Sequence, residues 1–291
     1  MAIVNAQEIL QKAKKGKYAV GAFNITNIIQ LEGVVEAHIE AQAPLIIQTS
    51  VSPAKFLGES VLVAVYREIA AAAPIPVCLH LDHCQDVDYC KKCADFGWTN
   101  IMIDASREPF EENIRRTKEV ADYCHKIGGI TVEGELGTVA GVEDQIKVVE
   151  DESKLCDPEQ ALEFIRKSNV DLLAPAIGTA HGVYKTKNPK VDFERLDTIA
   201  KLLEANKMDT PLVIHGGTGL PVDTVKRLIE LGGSKFNVST DLKHTWIDAT
   251  YQYISANREE YDPGKLDKHA KNAIKEKVRE WIDMFGSAGK A

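Results

Sequence analysis

Eight short apolar runs, each followed by a longer stretch with helical spacing, constrain this chain more than any other feature. The runs are "YAVGAF" (18–23), "PLIIQT" (44–49), "PVCLHL" (76–81), "NIMID" (100–104), "ITVEGEL" (130–136), "DLLAPAI" (171–177), "PLVIHG" (211–216) and "KFNVST" (235–240). Apolar runs of this length bounded by turn residues read as buried strands. Between them, "FEENIRRTKEVADYCHKI" (110–127) sets Ile114, Val120, Ala121, Cys124 and Ile127 close to a helical period. In "DPEQALEFIRKSN", Asp157 is a natural N-cap and Pro158 a natural first helical residue. Strands joined through helices run parallel. Eight such units in 291 residues favour an α/β fold, a closed (β/α)8 TIM barrel, over an open sheet. Residues 1–291 read as one domain. Extra helices, from "TDLKHTWIDATYQYI" to "AIKEKVREWIDMF", are expected around the end of the barrel, with a loose tail "GSAGKA".

Composition narrows the function. A net charge of −8 disfavours a nucleic-acid partner, because neutralising phosphates takes clustered Lys and Arg. A small anion remains possible, since a few placed donors can hold one. No apolar run approaches the length of about 18 residues that a membrane helix needs, and the start "MAIVNAQEILQKAKKGK" has no signal-like core. Six cysteines without a secretion signal read as reduced thiols in a cytoplasmic protein. The Cys90/Cys93 pair lies in a helical stretch with no second CxxC, so it reads as packing rather than as a redox or zinc site.

In a barrel of this kind, polar residues at the C-terminal ends of the strands face the site. Asp82 and His83 end the third run in "LHLDHC", His181 follows the sixth in "GTAHGVYK", and His215 ends the seventh in "VIHGGTG". Three neutral imidazoles from three rigid strand ends can converge on one zinc ion and leave a coordination position open. His80 alternates with Asp82 and reads as structural. His38, His125, His244 and His269 lie in helical stretches as surface or packing residues. Backbone N–H groups of Gly216, Gly217 and Thr218 can cradle an anion, and "NVSTD" (237–241) offers a second cradle in the next loop. Lys185 adds a cation. Asp104 ends the fourth run, and Glu133 and Glu135 share one face of the fifth. Carboxylates facing a barrel interior need a cation or donors. A metal and an internal salt bridge both satisfy that need.

Taken in order, "GAFNI", "LHLDHC", "MIDAS", "VEGELG", "GTAHGVYK", "HGGTGLP" and "KFNVSTDLK" give the chain a resemblance to the class II, zinc-dependent fructose- and tagatose-bisphosphate aldolases, from about residue 3 to the C-terminus. The resemblance implies that His83, His181 and His215 bind catalytic Zn2+ and that Asp82 is the acid/base. Asp104 and Glu135 would line the metal site, where they can touch a displaced or second divalent ion. It implies that Gly182, Lys185, Gly216, Thr218, Asn237 and Thr240 surround the C1 phosphate of a ketose, that Asn24 lies in the active site, and that a monovalent cation (Na+ or K+) binds near the phosphate. It implies a homodimer or homotetramer acting on a sugar phosphate.

Departures from that pattern bear on specificity. Ser239 stands where fructose-type enzymes often carry an aspartate reading the C4 hydroxyl, and tagatose-type enzymes carry a small residue followed by "LK", as here. The expected reaction is reversible cleavage of fructose or tagatose 1,6-bisphosphate to dihydroxyacetone phosphate and glyceraldehyde 3-phosphate. The alternatives are an aldolase for another ketose phosphate, a zinc hydrolase on the same fold, and a non-catalytic zinc-bound scaffold subunit.

Overall fold

A computed structural model describes residues 3–143, 146–148, 154–182, 184 and 189–291. It contains β1 (Val20–Asn24), β2 (Leu45–Ser50), β3 (Val77–Cys84), β4 (Asn100–Ile103), β5 (Thr131–Leu136), β6 (Ala140–Glu143), β7 (Ile146–Val148), β8 (Leu172–Pro175), β9 (Ala180–His181), β10 (Leu212–Ile214) and β11 (Gly233–Val238). Eight of these close into a parallel barrel in the order β1-β11-β10-β8-β5-β4-β3-β2, each arising from one of the eight apolar runs. The remaining three form a small sheet, β7-β6-β9, that the run pattern does not announce.

Register divides the barrel interior into two layers. Val20, Ile46, Cys78, Leu172 and Val213 pack in one cluster with Ala6, Ile9, Leu10 and Ala13 of the helix Ala6–Gly16, which plugs the N-terminal end of the barrel. Burying side chains such as Ile9 and Leu10 stabilises by about 1.5–3 kcal/mol each. On six of the eight barrel strands other inward positions are polar: Asn24, Gln48, His80, Asp82, Asn100, Glu133, Glu135, Lys235 and Asn237, all buried. The second core cluster lies between the outside of the barrel and the helices, and includes Trp98, Tyr66, Phe164 and Phe285. The apolar layer and the outer shell carry the fold, while the upper layer is left for chemistry.

Local signals behave as physics predicts in most places. Asp157 caps the helix Pro158–Ser168 by accepting from the N–H groups of Glu159 and Gln160. In the helix Phe110–Ile127, Ile114, Val120, Ala121 and Cys124 are buried. Ile127, the last periodic position, is instead 48% exposed, because the helix ends there and Gly128 turns the chain away. All six cysteines are buried and free, including Cys90 and Cys93 in the helix Val87–Phe96. Helices Thr240–Ala256 and Pro263–Phe285 flank the barrel as expected. The tail is not loose: Ser287 is buried, and the N–H groups of Gly289 and Ala291 donate to the carbonyls of Ala41 (2.9 Å) and Gln42 (3.0 Å). No described helix is long and apolar enough to cross a membrane.

The helix Ile28–Ala41 carries a titration built into the core. His38 is buried, its Nδ1–H donates to the Val34 carbonyl at 2.8 Å, and its ring meets Phe23 edge-on at 5.1 Å. Burial lowers its pKa from 6.5 to about 4. The folded value lies below the unfolded one, so the neutral ring's contribution is complete above pH 6.5 and is lost as pH falls towards 4. The total is about 3 kcal/mol, at roughly 1.4 kcal/mol per pH unit. Urea unfolding between pH 7 and pH 4.5 should show wild-type stability falling faster than that of His38→Gln, and parallel curves would refute it.

Candidate active site

Asp82 and His83 are neighbours on β3, so simple alternation sends their side chains to opposite faces. The barrel brings both inward by a bulge. Leu81 pairs with Ile101 and Cys84 with Ile103, so β3 uses one residue more than β4 over the same span. His83 lies inside this irregularity with φ +45°, left-handed backbone that a non-glycine residue rarely adopts.

His215, just beyond β10, and His181, on β9, complete a cluster. The ligand atoms of His83, His181 and His215 all lie within 4.8 Å of one another. Their neighbours fix the tautomers. His83 Nδ1 is 3.0 Å from Asp104 Oδ2, and His215 Nε2 is 2.9 Å from Glu133 Oε1. Each of these nitrogens donates its proton to a carboxylate, which leaves His83 Nε2 and His215 Nδ1 bare. Those two bare nitrogens are 2.8 Å apart. At that distance the two nitrogens need a cation between them, either a proton that makes His83 an imidazolium or a metal ion in its place, and the surrounding donors fit a metal ion. A second group, His83, Asp104 and Glu135, also brings its donor atoms within 4.8 Å. Glu135 Oε2 is buried and accepts no hydrogen bond among the described residues. Three imidazoles and two carboxylates are the donor set a zinc-like divalent ion takes.

The electrostatics agree. Burial, reinforced by the Asp104 carboxylate, pushes Glu135 up to about 8. Burial would raise Asp104 too, but the hydrogen bonds and charge from His83 and Ser106 outweigh it and hold it at about 2. Asp82 is fully buried, yet His83, His80 and His215 together overcome that burial and keep its carboxyl well below the usual range. Burial lowers His181 and His215, so both rings stay neutral.

Asp82 is held from both sides. Asn24 Nδ2 donates to Oδ2 at 3.1 Å and Asn237 Nδ2 to Oδ1 at 3.0 Å. Beside this group, His181, Gly182, Gly216, Gly217, Thr218, Asn237, Ser239 and Thr240 line one cavity. The 17-residue helix Thr240–Ala256 opens on it, and no side chain caps its first N–H groups, which leaves them and the helix dipole to an anion.

The position of His181 depends on close backbone approach. Gly216 has φ +70°, and a Cβ there would lie 2.4 Å from the Ala180 carbonyl; Gly141, at φ +110°, would meet the His181 carbonyl at 2.2 Å. Tyr184 ties the two segments, its hydroxyl accepting from the Ala180 N–H (2.9 Å) and donating to the Gly216 carbonyl (2.7 Å). The described residues that the sequence proposed for the site lie at this end of the barrel. Lys185 lies outside the described residues.

Sequence reasoning missed three buried contributors, Glu133 as a partner of His215, Lys235 and Gln48, and the partly buried Tyr184. For Lys235 and Gln48 the available signal is alternation, since each shares a face with an inward residue two positions away, Asn237 and Ile46.

Comparisons with known proteins bear on this geometry. The family model for class-II fructose-bisphosphate aldolase matches residues 4–290. The chain is 38% identical over 294 residues to the fructose-bisphosphate aldolase of Geobacillus stearothermophilus, covering 100% of this chain and 99% of that one. It is 37% identical over 311 residues to the fructose-bisphosphate aldolase of Helicobacter pylori, covering 99% of each. The crystal structure of the YdjI aldolase from Escherichia coli K12 superposes with a TM-score of 0.85 at 32% identity, covering 99% of both chains.

Proposed function

The chain belongs to the class-II fructose-bisphosphate aldolase family, and from that premise we infer a metal-dependent aldolase that reversibly cleaves fructose or tagatose 1,6-bisphosphate to dihydroxyacetone phosphate and glyceraldehyde 3-phosphate. The observation that carries the reading is the meeting of three strand-end histidines within 4.8 Å, beside a buried carboxylate gripped by two amides.

His83, His181 and His215 would hold the ion, taken as Zn2+, with Asp104 and Glu135 able to touch a displaced or second divalent ion. A bound zinc ion supplies Lewis acidity for the negative charge that develops on the ketose oxygens. Asp82 removes the proton of the C4 hydroxyl, whose oxygen becomes the aldehyde carbonyl as the C3–C4 bond breaks. The electron pair of that bond passes to C3 and the C2 carbonyl, giving an enediolate, and a proton returned to C3 completes dihydroxyacetone phosphate. In condensation the same carboxyl gives its proton back to the C4 oxygen. Asn24 and Asn237 fix the Asp82 oxygens so that one lone pair addresses the substrate.

The C1 phosphate takes the N–H groups of Gly182, Gly216, Gly217 and Thr218 and the start of the helix at Ser239 and Thr240, with Lys185 as the cation and Na+ or K+ nearby. Ser239 is short, which leaves the C4 configuration weakly read and both ketoses as substrates. The enzyme is taken as cytoplasmic and as a homodimer or homotetramer. Ile247 (63% exposed) and Tyr251 (72%), one turn apart on the helix Thr240–Ala256, support an assembled state.

Retro-aldol cleavage of the two bisphosphates, measured in parallel, tests the reading. Chelator should abolish turnover and zinc restore it. Zinc-loaded protein that cleaves neither sugar would sink the substrate assignment, and tight zinc with no turnover on any ketose phosphate would favour a scaffold.

A further inference from the structure

Lys235 lies on β11, two residues before Asn237, with no part of its side chain in contact with solvent. An ammonium so placed costs several kcal/mol in desolvation unless every proton finds an acceptor. Two acceptors meet it, Asn237 Oδ1 at 2.8 Å and the Glu133 carboxylate Oε2 at 2.9 Å, and the His80 ring nitrogen Nε2 lies 3.3 Å away.

We propose that Lys235 is a positioning residue for the aldol reaction, in which one ammonium fixes both the amide that grips Asp82 and the carboxylate that orients His215. An amide beside an ammonium can face it only with its oxygen. The Asn237 nitrogen must then point to Asp82 Oδ1, where it lies at 3.0 Å. Turned by half a rotation, Asn237 would set its oxygen against the Asp82 carboxylate, acceptor against acceptor. The other side of Asp82 is built the same way with a neutral donor: Gln48 Nε2 donates to Asn24 Oδ1 at 2.7 Å and so turns Asn24 Nδ2 onto Asp82 Oδ2.

The second branch runs through Glu133. Lys235 holds Oε2, and Oε1 receives the His215 Nε2 proton at 2.9 Å. That pairing keeps the buried Glu133 ionised and keeps His215 Nδ1 bare towards His83. Among the described residues Lys235 makes no hydrogen bond to Asp82 or His215, so its hold on their orientation runs through Asn237 and Glu133.

The kinetic part of this inference rests on the aldolase reading; the metal part does not. Lys235→Met strands the Glu133 carboxylate and can fail to fold. The double variant Lys235→Met/Glu133→Gln removes both charges and leaves an amide oxygen for His215. Each protein is stripped of metal, and its Zn2+ affinity is measured by competition with a chromophoric chelator. The thermal midpoint, kcat and KM for fructose 1,6-bisphosphate are recorded beside it. The folded double variant should bind Zn2+ about 10- to 100-fold more weakly, as lost outer partners of metal ligands do. Its kcat should fall by a similar factor while KM stays within about threefold, because the phosphate loops are untouched. A folded double variant with wild-type Zn2+ affinity and wild-type kcat would overturn the proposal. Should the wild type cleave no bisphosphate, the aldolase reading fails, and the Zn2+ affinities alone decide for or against Lys235.

Discussion

Asp82→Asn is expected to lower kcat for cleavage about 10²- to 10⁴-fold, the range that a positioned general base contributes, while leaving bound metal in place. The substitution keeps the size of the side chain and removes its ability to take a proton. It also inverts half of the local hydrogen bonding: one carboxylate oxygen becomes an NH2 that faces the donor of Asn24 or Asn237, now 3.1 and 3.0 Å away. Asp82 belongs to neither of the donor groups found among the described residues, His83, His181, His215 and His83, Asp104, Glu135. Zinc content near wild type with kcat reduced a hundredfold or more would separate the base from the metal site. A variant within tenfold of wild type would remove Asp82 from the proton transfer.

How far the sequence alone reached can be judged from particular residues. The eight barrel strands were legible because buried parallel strands read as apolar runs, and each run here is bounded by turn residues. Glu133 and Glu135 were legible as partners on one face, since period two holds through β5. His83 was not legible by alternation, which sends it away from Asp82; its place at a strand end and its family motif put it in the site, and the bulge with φ +45° supplies the physical reason. Lys235 was hidden for another reason. A lysine in a strand run defaults to solvent, and the partner that makes it tolerable inside, Glu133, lies 102 positions earlier in the chain. The strand β9 has only two residues, too short for any periodicity. The tail was misread because its anchors are backbone hydrogen bonds to Ala41 and Gln42, which no side-chain pattern encodes.

Removing the His83 side chain should abolish the site and, in the right form, relax the backbone beneath it. Both His83→Ala and His83→Gly lose one of three imidazoles, along with the 3.0 Å bond to Asp104, so both should lose tight zinc and about 10³-fold or more in kcat, the scale expected when a metal ion no longer stabilises the developing charge. Their stabilities should differ. Left-handed backbone costs a residue with a Cβ about 1–2 kcal/mol, and glycine almost nothing. Glycine also gains conformational entropy in the unfolded chain, which returns roughly 0.4–1 kcal/mol of that difference. The metal-free His83→Gly protein should therefore unfold at higher urea than metal-free His83→Ala, by about 1 kcal/mol or slightly less. The opposite order would mean that the bulge does not hold this residue left-handed in solution. Zinc should then raise the thermal midpoint of the wild type in proportion to the logarithm of its concentration over Kd, and leave both variants where they were. The strain at residue 83 and the metal that compensates it would thereby be measured on the same three proteins.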